Sequence, residues 1–413
     1  MKQTTQDQVE HPIAAPHARI RGRAQLVVII GALSALGPLS IDMYLPALPA
    51  LPHELGGTAS QAQLTLTACL LGLAIGQVIA GSLSDQLGRR RPLLVGLGLY
   101  ALVSLLCAVA PSLPLLTTFR LLQGLAGAAG IVIARAVVRD LFSGPDVMRF
   151  FAMTMLVNGL APILAPMIGG QLLTFTSWRG VFVLLTIIGC GLCLLTALGL
   201  RESLPPERRR TGGLAETLSA FRTLLSDRSF VSYALTSGLA FAAMFTYISG
   251  SPFVLQGIYG VSPQLYSIIF GSNAFGIIVT SQISGRLAGR VNPRTLLLIG
   301  LCYAVLGGLL LLTVVMLNIG LVGVLLGFFC VVSSIGLISP NATALAMAEH
   351  QRTAGSASAL LGVLQFIAGA ISAPLAGLFG VNTALPMAIL MACLSLAALF
   401  TFLSLPGGSK DSD

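Results

Sequence analysis

Apolar residues along this chain neither alternate nor gather on one helical face. They come in near-continuous runs of roughly twenty residues or more, and a run of that length crosses the ~30 Å hydrocarbon core of a bilayer as an α-helix. Helices suit such runs because the bilayer interior offers no water to backbone N–H and C=O groups. The pattern predicts about twelve spans. The first six cover roughly 25–48, 62–84, 92–110, 113–141, 148–175 and 179–200. The second six cover roughly 229–257, 262–287, 294–316, 318–346, 353–379 and 382–405.

The longest hydrophilic stretch, Arg201–Arg228, lies between the two sets and carries Pro205-Pro206 and Arg208-Arg209-Arg210. The expected organisation is therefore a tail over 1–23, a six-helix bundle over 24–200, a linker over 201–228, a second bundle over 229–405 and a tail over 406–413. A short amphipathic helix is expected near Leu214–Leu225 in the linker. The halves read as a duplication. Gly81, Leu83 and Arg90 at the end of the second span align with Gly285, Leu287 and Arg294, while Asp85 has become Gly289. Internal repeats with a site at their interface mark secondary transporters.

Composition narrows the class. The chain of 413 residues is 55% hydrophobic and 9% charged, with a mean hydropathy of +0.91, whereas soluble domains carry about 25% charged residues. A soluble globule is excluded. No cleavable signal peptide is evident, so the first span is expected to stay in the membrane. The net charge of +9 does not point to nucleic acid. Every Lys and Arg except Arg120, Arg135 and Arg179 falls in one alternating set of loops and tails. That asymmetry places both termini in the cytoplasm, with the bilayer as the partner of the basic loops.

All seven cysteines lie inside apolar spans. Cys190 and Cys193 have CxxC spacing but no acid or histidine beside them, so they read as packing residues. His11, His17, His53 and His350 lie outside the spans or at their ends. No nucleotide-binding loop is present. No enzyme activity, cofactor or metal is expected, and the chain is expected to be a monomer.

Asp42 carries the most information. It is the one charge in the apolar run from Ala24 to Leu51, and an acid at that depth costs roughly 2.5–3.5 kcal/mol on insertion scales. Such a residue is a functional candidate that faces a water-filled cavity or a cationic partner. A second candidate is Gly81-Ser-Leu-Ser-Asp85-Gln-Leu-Gly88-Arg89-Arg90-Arg91, read as a tight turn between two spans. There Asp85 can accept from Arg89 or cap a helix start.

This second segment resembles the signature loop between the second and third helices of the major facilitator superfamily. Further segments agree. Phe119-Arg120-Leu-Leu-Gln123-Gly124-Leu-Ala-Gly127 resembles the fourth-helix motif of proton-coupled members. Ala161-x-x-x-Ala165-Pro166-Met-Ile-Gly169-Gly170 resembles the fifth-helix antiporter motif, with alanine in place of both leading glycines. Ile41-Asp42-Met-Tyr44-Leu45-Pro46-Ala-Leu-Pro49, Ser339-Pro340-Asn341-Ala342 and the Gly355-Ser-Ala-Ser run are similar to the bicyclomycin-resistance (Bcr/CflA) type of bacterial drug:proton antiporter.

The resemblance covers about residues 22–405. It implies an all-α membrane fold of twelve helices in two pseudo-symmetric six-helix bundles. It also implies proton-driven export of small amphipathic drugs from the inner membrane by alternating access, with agents such as bicyclomycin, phenicols or sulfonamides in view. In related exporters a first-helix acid binds protons and the fourth-helix arginine sets its affinity, and Asp42 and Arg120 are the matching positions.

The bottom-up geometry agrees. Asp42 and Arg120 each lie about seven residues from the outer ends of their spans, so at ~1.5 Å per residue both sit roughly 10 Å deep, and an ion pair between them is expected. Arg135, Arg139 and Asp140 read as helix-end anchors, with Arg135 at the inner mouth. Tyr44, Gln123, Asn158, Phe241, Phe245, Tyr247, Asn273, Gln365 and Phe366 are candidate linings of a mostly apolar drug cavity. A metabolite carrier is the alternative. It is disfavoured because the second half has no charge at mid-membrane. A sensor or scaffold would need a soluble signalling domain, which the sequence lacks.

Overall fold

The computed structural model describes residues 23–141, 145–209, 213–348, 350, 354–378 and 383–404. The chain is all-helical across these residues, and twelve spans cross between two ends. Span 1 is built from α1 (Arg23–Ser34), α2 (Leu36–Asp42), a 3-10 helix (Leu45–Ala50) and α3 (Leu51–Leu55). Spans 2 to 6 are α4 (Ala59–Leu87), α5 (Arg90–Ala108), α6 (Leu113–Leu141), α7 (Pro145–Leu172) and α8 (Trp178–Gly199). The linker holds α9 (Gly213–Ser226). Span 7 is α10 (Arg228–Pro252), continued by a π-helix (Phe253–Ile258). Spans 8 to 12 are α11 (Pro263–Leu287), α12 (Pro293–Met316), α13 (Leu321–Met347), α14 (Ala354–Leu378) and α15 (Leu385–Ser404).

Local sequence explains where these helices start. Thr58 and Gln61 bond each other's backbone N–H at the start of α4. Ser177, Asp227, Ser262 and Asn292 cap α8, α10, α11 and α12. Pro263 and Pro293 stand at first helical positions, where the missing N–H costs nothing.

Two regions depart from the expected pattern. The first span is not one helix, because Pro46 and Pro49 cannot donate to an α-helical ladder and the chain overwinds into a 3-10 segment. The 81–91 segment is mostly helix rather than turn. α4 runs on to Leu87, and the reversal is confined to Gly88, at φ 88°, and Arg89.

Spans 1–6 and 7–12 form the two bundles. They meet chiefly where α4 packs on α14 and α7 on α11. One end of the molecule is rich in arginine (Arg89–Arg91, Arg201–Arg209, Arg286–Arg294); the other holds the α3–α4 and α7–α8 turns. At the arginine-poor end a single apolar core runs through both bundles, joining Leu45, Leu48 and Leu70 to Ile248, Phe253 and Leu255. Hydrogen bonds cross the seam there: Gln63 Nε2 to Ser249 O at 3.1 Å, Thr67 Oγ1 to Ala370 O at 3.1 Å, Gln256 Nε2 to Pro46 O at 3.2 Å and Gln264 Nε2 to Gly170 O at 3.0 Å. The bundles are closed at this end. At the other end α9 tucks Phe221 and Leu224 into a core with Phe230, Ala357 and Leu361, with Val78 of the first bundle packed against it.

Candidate functional site

Asp42 is the last residue of α2, at the point where span 1 leaves α-helical geometry. It is 6% exposed. Among the described residues no cation lies within ion-pair distance of its carboxylate and no side chain donates to it. The titratable side chains of the second bundle near enough to feel its charge are Tyr247 and Tyr266. These are neutral hydrogen-bonding groups that already have partners. Asn273 Nδ2 donates to the Tyr247 hydroxyl at 2.7 Å, and the Tyr266 hydroxyl lies 3.3 Å from Ser251 Oγ. The Tyr247 ring stacks on Phe270 and meets Phe328 edge-on.

Arg120 is 0% exposed and sits wholly within the first bundle. Its Nη1 donates to Gln123 Oε1. Gln123 Nε2 in turn donates to Ser104 Oγ at 2.7 Å. The guanidinium carbon lies 5.0 Å from the Tyr44 ring centre and 5.5 Å from that of Phe182, and these two rings touch each other at 5.2 Å. The Tyr44 hydroxyl lies 3.1 Å from Thr65 Oγ1. Among the described residues, Nε and Nη2 of Arg120 have no hydrogen-bond partner.

The expected Asp42–Arg120 ion pair is therefore not made in this structure. Helical rise gives depth alone. The Arg120 guanidinium is directed instead to Tyr44, Gln123 and Phe182.

The Gly169-Gly170 pair of the fifth span lies between these surroundings. A Cβ on Gly169 would stand 2.0 Å from the Met43 carbonyl oxygen, and one on Gly170 would stand 2.4 Å from Ser267 Oγ of α11. Two successive glycines thus let α7 touch span 1 on one side and the opposite bundle on the other. Ala165 and Pro166 are buried one turn earlier, so alanine still fits where the motif has glycine.

The second cluster is at the arginine-rich end. Arg89 bonds Asp85 and Ser84 through Nη1, and its Nε donates to Asp140 at the end of α6 at 2.8 Å. Sequence reasoning missed the residue that completes this cluster. Glu202, just after α8, accepts from the backbone N–H of Arg89 at 2.7 Å and of Arg90 at 3.1 Å. It thereby caps α5, which has no side-chain cap of its own. Burial pushes the Glu202 carboxyl up, but the N–H groups of Arg89, Leu204 and Arg90, with the Arg209 guanidinium beside them, hold it below the ordinary carboxylate value. Asp140, read from sequence as an anchor, is in fact the second acid on Arg89. Gly81 is half-buried on α4, and a Cβ on Gly88 would meet Glu202 at 2.5 Å. Arg90 Nη2 donates to Ala197 O at 2.7 Å.

The candidate cavity residues fall into three sets of contacts. Tyr44 and Gln123 belong to the Arg120 enclosure, and Tyr247 and Asn273 to the groups facing Asp42. Phe241, Phe245 and Phe366 form an aromatic row, with centroids 5.9 Å and 6.5 Å apart. Gln365 donates to Ser237 Oγ at 2.7 Å beside it. Asn158 lies on α7, but its side chain falls outside the described residues. No cluster fit to hold a metal occurs among the described residues.

Comparisons with known proteins bear on what this arrangement does. The model of the Major Facilitator Superfamily matches residues 30–373. The chain is 44% identical over 385 residues to an uncharacterized MFS-type transporter, YdgK, of Bacillus subtilis, covering 93% of this chain and 96% of that one. It is 31% identical to a bicyclomycin resistance protein homolog of Haemophilus influenzae, over 90% of this chain and 94% of the relative. It is 29% identical to a chloramphenicol resistance protein of Pseudomonas aeruginosa, over 94% and 92%. Among solved structures, a bacterial homolog of the human lysosomal transporter Spinster, in an inward-facing and unoccupied conformation, superposes with a TM-score of 0.73 at 17% identity, over 92% of this chain and 97% of that one.

Proposed function

The chain belongs to the Major Facilitator Superfamily, and from that premise we propose that it exports small amphipathic drugs in exchange for protons by alternating access. It is a multi-pass membrane transporter and not an enzyme. The reading takes the arginine-rich end as cytoplasmic, with both termini on that side of a bacterial inner membrane, because positive loops are retained inside. The relatives named for bicyclomycin and chloramphenicol resistance support the drug class.

The observation that carries the coupling is the setting of Asp42. An ionised carboxylate buried without a cation or donor is costly. In the state closed at the arginine-poor end, that cost is removed by a proton on the carboxyl or by a cationic drug beside it. A proton loaded from outside lets the bundles close there and open inward. Drug entering from inside displaces the proton, and the bundles return with the drug aboard. Asp42 is the one acid well inside a span, so one proton moves per cycle. Neutral and monocationic drugs are carried well, and dications poorly.

Asp42→Asn tests the reading in proteoliposomes under an imposed pH gradient, with chloramphenicol as the probe. Asparagine keeps size and polarity but cannot release a proton. Uphill transport should disappear while the protein stays folded. Uphill transport that persists in the variant contradicts the coupling role.

A further inference from the structure

Both halves of a salt bridge are buried here, and among the described residues neither meets an oppositely charged partner. The two free donors of Arg120 are Nε and Nη2. Their N–H bonds point to the same side of the guanidinium and form the two-pronged edge that a carboxylate accepts. No acid faces Arg120 among the described residues. Its titratable neighbours are Tyr44 on span 1, Cys69 on α4, and Tyr100 and Cys107 on α5. Those facing Asp42 are Tyr247 on α10 and Tyr266 on α11.

Apart from the bond of its Nη1 to Gln123, what holds the arginine is aromatic. Tyr44 lies two residues beyond Asp42, beside the 3-10 segment whose Pro46 carbonyl is gripped by Gln256 of the opposite bundle. When the bundles part at that end, the Gln256 contact breaks and the segment carrying Tyr44 is released. We infer that the Tyr44–Phe182 ring pair is a second seat for the Arg120 guanidinium, occupied while the arginine-poor end is closed, and that Arg120 exchanges this seat for the Asp42 carboxylate when that end opens. Tyr44 and Phe182 are thus positioning residues. They decide how firmly the arginine is kept from the acid, and through it how readily the acid takes a proton. This rests on the proton-coupled reading and adds to it the residues that set the balance.

The sign follows directly. Cation–π attraction is strongest where the cation is desolvated. Removing a ring weakens the seat and favours the state in which Arg120 pairs with an ionised Asp42. More acid is then needed to load the proton. Tyr44→Leu and Phe182→Leu should each lower the external pH of half-maximal chloramphenicol exchange by about one unit. Tyr44→Phe keeps the ring and loses only the contact with Thr65, so it should keep the wild-type midpoint. Thermal unfolding of each purified variant accompanies the profiles, and Phe182→Leu decides the matter if Tyr44→Leu does not fold. Leucine variants that fold and keep the wild-type midpoint, or raise it, overturn the inference. Failure of the underlying reading would show differently, as pH dependence that survives Asp42→Asn.

Discussion

Spans 1 and 7 hold equivalent places in the two bundles, and both abandon α-helical geometry near the arginine-poor end. Span 1 overwinds into a 3-10 helix at Leu45–Ala50, and span 7 underwinds into a π-helix at Phe253–Ile258. The two irregular segments meet through Gln256 and Pro46. Their chemistry differs sharply. Span 1 brings an ionisable carboxylate to its break, whereas span 7 brings Tyr247, Ser249 and Ser251, which stay neutral. The duplication therefore supplies a deformable segment on each side of the seam, and the titrating group on one side alone. The same contrast recurs at the other end. Asp85, Arg89, Asp140 and Glu202 form a charged cluster in the first half, while the second half has Gly289 where Asp85 stands and, among the described residues, only the His350–Asp227 contact at 2.7 Å.

The contrast can be broken most severely at Arg120. Arg120→Ala leaves the ionised Asp42 of the opened state without its cation, and losing one partner of a buried charge pair costs about 3–5 kcal/mol, so uphill exchange should fall at least ~100-fold. Arg120→Lys should recover only part, because an ammonium lacks the planar fork. Transport assays across a pH series measure both. Next comes the arginine-centred cluster, which has no match in the second half among the described residues. Asp140→Asn removes an ionised partner of Arg89 and should slow exchange about tenfold, with equilibrium chloramphenicol affinity unchanged, since the cluster acts on cycling. A large loss of affinity at normal exchange rate would contradict that assignment.

Glu202→Gln should have a smaller effect. The carboxyl is held below its ordinary value, so its contribution to stability is complete above the ordinary carboxylate range and is lost as pH falls through the depressed value. At neutral pH the variant should be less stable by about 1 kcal/mol, a figure kept low because the group is exposed. The difference should vanish in strong acid, as thermal unfolding at several pH values would show. The smallest effect is expected at the join between spans 1 and 7. Gln256→Ala deletes one hydrogen bond of about 1 kcal/mol and should shift the closed population roughly fivefold toward opening, read as spin-label distances across that end.

The spans were legible because a bilayer dictates them so strongly that long apolar runs leave little choice. Asp42 was legible for the same reason, as a charge where charge is costly. Pro46 and Pro49 disfavour a continuous α-helical ladder in span 1, but nothing local says that the break takes the form of a 3-10 segment starting three residues after the acid. The Asp42–Arg120 pair expected from depth is not made in this state, because residue count along a helix gives depth and not direction. Glu202 was missed because it serves backbone N–H groups 113 and 112 residues earlier in the chain, and no local pattern links an acid to so distant a helix start. The rings around Arg120 were similarly hidden. Tyr44 was visible only as a cavity candidate, and Phe182 looked like one more apolar residue.

The central claim is that one carboxylate on span 1 carries one proton against each drug molecule. It is tested most directly by counting protons and chloramphenicol together in proteoliposomes, with a trapped pH dye and the membrane potential clamped. The account predicts about one proton countermoved per neutral drug, a rate that responds to the potential, and loss of the proton flux in Asp42→Asn. Chloramphenicol movement with no accompanying protons, or insensitive to the potential, would contradict it.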